Sequence, residues 1–135
     1  MASGVKCNQA CIDAFNDLKL RKTYRYILFH IYNNEEIQIL RKADRSATYD
    51  DFKQDLLDAM DEGEGRYAVF DYECPTKMPT LIFVSWTPSV LNIRKKLIYA
   101  ASKDAIQKKL IGIKHAVEAN DLDEIEEEEI RKKFE

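Results

Sequence analysis

The chain of 135 residues has little of what stapled, metal-bound or membrane-spanning proteins depend on. Its three cysteines, Cys7, Cys11 and Cys74, are too few and odd in number for a disulfide framework. Neither His30 nor His115 lies near them in sequence, so the four ligands of a zinc site do not assemble. They read as free thiols of a reducing compartment. No apolar run approaches the roughly 18–20 residues that cross a bilayer, and the opening stretch 1–10 has no apolar core, so no secretion signal is expected. Four glycines are present, none arranged as a phosphate-cradling loop. Ser85 and Ser89 have no histidine nearby, and Asp71 has no second carboxylate to share a proton with. His30 sits inside an apolar run and reads as a satisfied core residue. The acidic run Glu126–Glu129 reads as a solvated helix face, because calcium loops need oxygen ligands spaced around a glycine turn. The expectation is a protein that is not an enzyme and needs neither cofactor nor metal.

What is present suits one folded α/β domain over residues 1–135. Hydrophobic residues make up 45% and aromatics 10% of the chain, and a chain of this length buries enough surface to fold unaided. The net charge is only −3, but it is unevenly placed. Residues 92–115 hold seven basic side chains (Arg94, Lys95, Lys96, Lys103, Lys108, Lys109, Lys114) against the single acid Asp104, a local +6. Residues 121–135 hold eight acids against three basic residues, a local −5. Such a chain is no general polyanion binder, so nucleic acid is not expected, yet one segment can hold an anionic partner surface by its local field.

Periodicity gives the elements. Cys7, Cys11, Phe15 and Leu18 recur at helical spacing and predict a helix over 7–19. The run 24–32 is almost continuously apolar, as in a strand covered on both faces. Asn33-Asn34 predicts a turn and 36–40 a second strand. Thr48 is placed to cap a helix through Met60, with Tyr49, Phe52, Leu56 and Leu57 inward and Gly63 and Gly65 ending it. Strands are predicted at 66–72 and 80–86. Pro75 and Pro79 exclude a central strand between them. A long helix follows over 92–111, interrupted by Gly112, then a short strand within 113–119. Asp121 or Asp123 can cap a last acidic helix to about Lys133. The sum is a mixed sheet between helices.

The long helix is apolar on two sides. Tyr99, Ile106 and Leu110 form a large-residue stripe suited to packing on a sheet. Leu97, Ala101 and Ala105 form a second, smaller stripe near basic residues. Both must be buried, either within the molecule or against a partner, and periodicity does not choose between the two.

At this helix the sequence resembles a known family. The stretch 96–115, KLIYAASKDAIQKKLIGIKH, is similar to the long-helix signature of actin-depolymerizing factor/cofilin proteins. The opening Met1–Val5, the segment Phe15–Lys22, and the strands Arg66–Tyr72 and Phe83–Pro88 resemble the same family in order, over nearly the whole chain. The resemblance implies a single actin-depolymerizing-factor-homology domain, a central mixed sheet of five or six strands sandwiched between helices. It implies a monomeric cytoplasmic protein of the actin cytoskeleton that binds monomeric and filamentous actin and promotes filament depolymerization and severing. The monomer-binding surface would comprise Ser3, Gly4, Val5, Arg94, Lys96, Leu97, Lys103 and Ile106. Arg94 and Lys96 would meet acidic groups and Leu97 would fill an apolar cleft. A second, filament-side surface would use Lys77 between the third and fourth strands and Lys132 and Lys133 of the last helix. Ser3 resembles the serine whose phosphorylation inactivates relatives. Lys108, Lys109, Lys114 and His115 resemble a patch for phosphoinositide head groups that overlaps the actin surface, and His115 would add pH sensitivity.

The chain departs from the pattern in three places. The connection 73–80 is short with Lys77 its only basic residue, Gln107 replaces a lysine, and the sequence stops soon after Lys132 and Lys133. The first and last of these imply weakened filament-side binding, and Gln107 is a milder loss. The competing reading is a coactosin-like filament-side binder or a monomer-sequestering protein without severing.

Overall fold

A computed structural model describes residues 4–74 and 77–133, the side chains of Cys74, Lys77 and Met78 excepted. Along the chain run β1 (Lys6–Cys7), α1 (Gln9–Asn16) with a π-turn (Asp17–Arg21), β2 (Tyr24–Tyr32), β3 (Glu36–Asp44), α2 (Tyr49–Asp61), β4 (Arg66–Cys74), β5 (Lys77–Trp86), α3 (Ile93–Gln107), β6 (His115–Ala119), a 3-10 turn (Leu122–Ile125) and α4 (Glu127–Lys132). The six strands form one sheet in the order β1-β3-β2-β4-β5-β6. The four inner strands are antiparallel to one another, and the two edge strands join parallel, β1 on β3 and β6 on β5.

Strand alternation sends side chains to two cores. On one face, Tyr26 and Leu28 of β2, Phe70 of β4 and Val84 and Trp86 of β5 pack under α2 and α4. On the other, Ile27, Phe29, Tyr67, Val69 and Phe83 pack under α1 and α3. This double cover is why β2 reads as an unbroken apolar run. Asn33 and Asn34 both adopt left-handed φ, 54° and 57°, the geometry of a tight hairpin turn. α2 begins with a capping box: Thr48 accepts the Asp51 N–H at 3.2 Å and Asp51 accepts the Thr48 N–H at 3.0 Å. Tyr49, Phe52 and Tyr26 surround Phe70 with ring centroids 5.1–5.8 Å apart. The Trp86 indole N–H donates to the Leu56 carbonyl at 2.8 Å and ties this helix to the sheet.

Five elements differ from expectation. Cys7 is in a strand, because Lys6 N–H and Asn8 N–H are taken by the Glu35 and Ile37 carbonyls (3.1 and 3.0 Å) and Asn8 then caps α1. β3 runs on to Asp44, its far half paired with β2 although that half is polar. β4 and β5 extend until only residues 75–76 lie between them, and Pro79 lies inside β5. The ladder slips between Tyr72↔Thr80 and Cys74↔Lys77, so no paired N–H is demanded of the proline. The last acidic segment is split: Asp121 and Glu124 cap a 3-10 turn, and α4 starts only at Glu127.

Candidate functional site

α3 is held by its inner stripe. Asn92 caps it, accepting the Lys95 N–H at 2.9 Å. Tyr99, Ser102 and Ile106 are sealed from solvent, and Leu110 beyond the helix end is buried with them. The Tyr99 hydroxyl accepts the Ile31 N–H at 3.2 Å, and the Tyr67 hydroxyl donates to the Tyr99 carbonyl. With that side anchored, the opposite side must face solvent. Leu97 is 61% exposed, Ile93 one turn before it 65%, and Val90 just ahead of the helix 74%. Ala100 and Ala101 continue this face, whereas Ala105 is partly buried against the core. The small stripe therefore divides, Leu97 and Ala101 outside and Ala105 packed within.

Charge flanks the apolar ridge. Arg94 is exposed and Lys96 half-buried, and among the described residues neither forms an ion pair. Lys95 between them is bound to Glu64 at 2.8 Å, and Lys103 to Glu118 of β6. Beside the start of α3 lies a shallow cleft lined by Met60, Pro88, Val90 and Leu122, with Ser89 and Asp121 at its rim. Ser89 Oγ donates to Asp121 at 3.2 Å and its N–H to the Asn120 carbonyl at 2.8 Å, which fixes the turn before the 3-10 segment. Val90, Ile93 and Leu122 belong to this surface and were not singled out from the sequence. The one available signal was the i, i+4 pair Ile93/Leu97 behind a capping Asn92.

The expected residues distribute unevenly. Arg94 and Lys96 lie on either side of the exposed Leu97 near the start of α3. Ile106 does not join them: it is fully buried, because seven residues on from Tyr99 brings it back to the sheet-facing side. Val5 is likewise 7% exposed and packs into the α1/α3 core, held there by the strand pairing that starts at Lys6. Gly4 is exposed with φ of 80°, and Ser3 lies outside the described residues. Lys103 is half-buried and committed to Glu118.

Lys132 and Lys133 are exposed on α4, across the sheet from α3, and Lys132 pairs with Glu129 at 3.1 Å. The Lys77 side chain lies outside the described residues. Lys108, Lys109 and Lys114 are exposed around the carboxyl end of α3, with His115 half-buried at the start of β6. Lys19 joins them, donating to the Ile111 carbonyl at 2.7 Å. α3 has 15 residues, a span of ~22 Å, so this basic group sits at the far end from Arg94 and the ridge.

Comparison with known proteins gives a consistent picture. Residues 4–135 match the family described as cofilin/tropomyosin-type actin-binding protein. A cofilin of Gibberella zeae is 37% identical over 96% of this chain and 93% of its own length. An actophorin of Acanthamoeba castellanii is 36% identical over 95% and 93%. Among solved structures, a Streptomyces griseoflavus cofilin superposes with a TM-score of 0.87 at 38% identity, covering 96% of this chain and 98% of that one. Human coactosin-like protein shares the fold, with a TM-score of 0.76 at 15% identity, 96% of each chain covered.

Proposed function

Because the chain belongs to the cofilin/actin-depolymerizing-factor family of actin-binding proteins, we propose that it binds actin through the outward face of α3. The observation that carries this reading is the exposed ridge Val90–Ile93–Leu97 beside Arg94 and Lys96, two cations without an internal ion pair among the described residues. Ile93 and Leu97 would enter an apolar groove, while Arg94 and Lys96 would meet acidic groups at its rim and set the orientation. The cleft beside Val90 and Leu122 widens the apolar area, and Gly4 with Ser3 would complete the surface. Phosphate on Ser3 would oppose binding by adding negative charge where the partner is acidic.

The finer activity proposed is depolymerization and severing of filaments, acting on the actin cytoskeleton in the cytoplasm. Lys132 and Lys133 lie on the opposite side of the sheet from α3 and would touch a neighbouring filament subunit. Only two residues separate β4 from β5, and Lys77 is the one basic residue of the connection 73–80 that would reach this second surface. Binding to monomers is therefore proposed to be strong and binding along filaments weaker. The cluster Lys19, Lys108, Lys109 and Lys114 with His115 would hold phosphoinositide head groups.

The test is sedimentation of purified actin filaments with the wild-type protein and the Arg94→Ala/Lys96→Ala double variant. Wild type is expected to move actin into the supernatant and the double variant to lose most of that effect. Equal behaviour of the two proteins would sink the assignment of α3. Filament binding without depolymerization would favour a coactosin-like activity instead.

A further inference from the structure

Cys7 and Cys11 take no part in the proposed actin surface. Cys7 closes β1 and is half-buried; Cys11 lies in the first turn of α1 and is sealed from solvent; both are free thiols. Asn8 between them caps the helix, its side chain accepting the Ala10 N–H at 2.8 Å. The chain thereby turns from strand to helix within one residue, Cys7 pairs with Ile37 in the β1–β3 ladder, and both thiols lie in the core under α1 and α3. The Cys11 thiol donates to the carbonyl of that same Ile37 at 3.4 Å, so both cysteines lie against one residue of β3. The neighbouring Cys11 thiol draws the Cys7 thiol below its ordinary pKa and the Lys109 ammonium adds to this, against burial and the Glu36 carboxylate. The neighbouring Cys7 thiol and burial push Cys11 up. A partly accessible sulfur with a lowered pKa, and a buried thiol near it, is the arrangement of an attacking and a resolving cysteine.

We propose that Cys7 and Cys11 are a redox pair that a peroxide converts into an intrachain disulfide across the β1–α1 junction. The Cys7 thiolate attacks a peroxide oxygen; the O–O bond breaks, leaving a sulfenic acid on Cys7 and, after protonation, water. The Cys11 sulfur then attacks the Cys7 sulfur. The S–O bond breaks and the hydroxyl departs as water with the Cys11 proton. Two thiols lose two electrons, and one hydrogen peroxide becomes two waters. The bridge ties β1 to the first turn of α1, at the root of the segment that carries Gly4.

Trypsin frees residues 7–19 as one peptide holding both thiols, with Cys74 in another. Folded protein is treated with hydrogen peroxide, quenched, unfolded in urea, alkylated, digested and weighed. The 7–19 peptide is expected two hydrogens lighter and unalkylated, and dithiothreitol before alkylation is expected to restore both sites. In Cys7→Ser, Cys11 is expected to remain fully alkylatable; in Cys11→Ser, Cys7 is expected to advance to sulfinic acid for want of a resolving thiol. Full alkylation of both wild-type thiols at a peroxide dose that oxidises free glutathione overturns the proposal. So does wild-type sulfinic acid at Cys7, or a Cys7 link between two chains.

Discussion

The hydroxyl of Tyr99 accepts the backbone N–H of Ile31 at 3.2 Å, joining the middle of α3 to the end of β2. The β2–β4 ladder ends at Phe29↔Tyr67, so the Ile31 N–H lies past the last β4 partner and α3 supplies the acceptor. Tyr99→Phe leaves a buried donor unsatisfied and is expected to cost about 1–3 kcal/mol. Urea denaturation measures it. A variant as stable as wild type would show that this bond does not hold α3.

Gly65 sits where β4 passes under α3. A Cβ there would lie 3.0 Å from the Trp86 carbonyl oxygen and 3.1 Å from the Tyr99 ring, both parts of the packed core. Gly65→Ala is expected to destabilise by about 1–3 kcal/mol through overpacking. The melting temperature should fall accordingly, and an unchanged value would contradict the close approach.

The ridge on α3 separates binding from folding. Leu97 is mostly exposed, so Leu97→Ala is expected to change stability by no more than about 0.5 kcal/mol. Its effect on actin-monomer affinity should exceed about 1 kcal/mol if Leu97 is an anchor. Ile106→Ala should do the reverse, costing about 2–5 kcal/mol of stability because its side chain is wholly buried. Fluorescence titration of actin alongside denaturant unfolding distinguishes the two.

Asp71 is buried, with its side chain 1% exposed, and holds Arg45 at 2.8 Å and Lys22 at 3.1 Å. Arg45 also bonds Glu73 and donates to the Tyr24 carbonyl at 2.9 Å. Arg45→Ala strands much of that buried charge and is expected to cost about 3 kcal/mol. A cost below about 1 kcal/mol, read from the shift in urea midpoint, would mean that Lys22 alone satisfies the carboxylate.

Burial holds the pKa of His30 below its usual value, and the nearby Arg66 guanidinium adds to this. The unfolded chain therefore takes up a proton at this site before the folded one does. Stability is unaffected by His30 well above the ordinary histidine pKa. It declines as pH falls through that value towards the depressed folded one. Urea midpoints measured from pH 8 to pH 5 should show this slope, and His30→Gln should flatten it. An identical slope in the variant would assign the dependence to other groups.

Much of this architecture is written locally. The unbroken apolar run 24–32 is β2 to the residue, Thr48 caps α2, and Tyr99, Ile106 and Leu110 mark the inner side of α3. Each depends on near-neighbour spacing, which a helix or strand converts directly into a buried face. What the spacing leaves undecided is which of two apolar sides finds cover. Ala105 packs inward while Leu97 does not, because each i, i+4 step turns about 40° past a full turn and carries the stripe round towards the sheet-facing side. The two-residue strand β1 and the burial of Val5 depend on pairing with β3, thirty residues away, and no periodicity reports that. Pro79 sits in a strand because the ladder slips opposite it. The ridge gains Val90, and the cleft Leu122, only when β5 and β6 lie side by side and bring their exits together. The placing of Cys7 and Cys11 against the same residue, Ile37, likewise depends on Cys7 being drawn into the sheet while Cys11 stays in the helix. Contacts between distant segments settle these points, since short edges and exposed faces carry too little local energy to declare themselves.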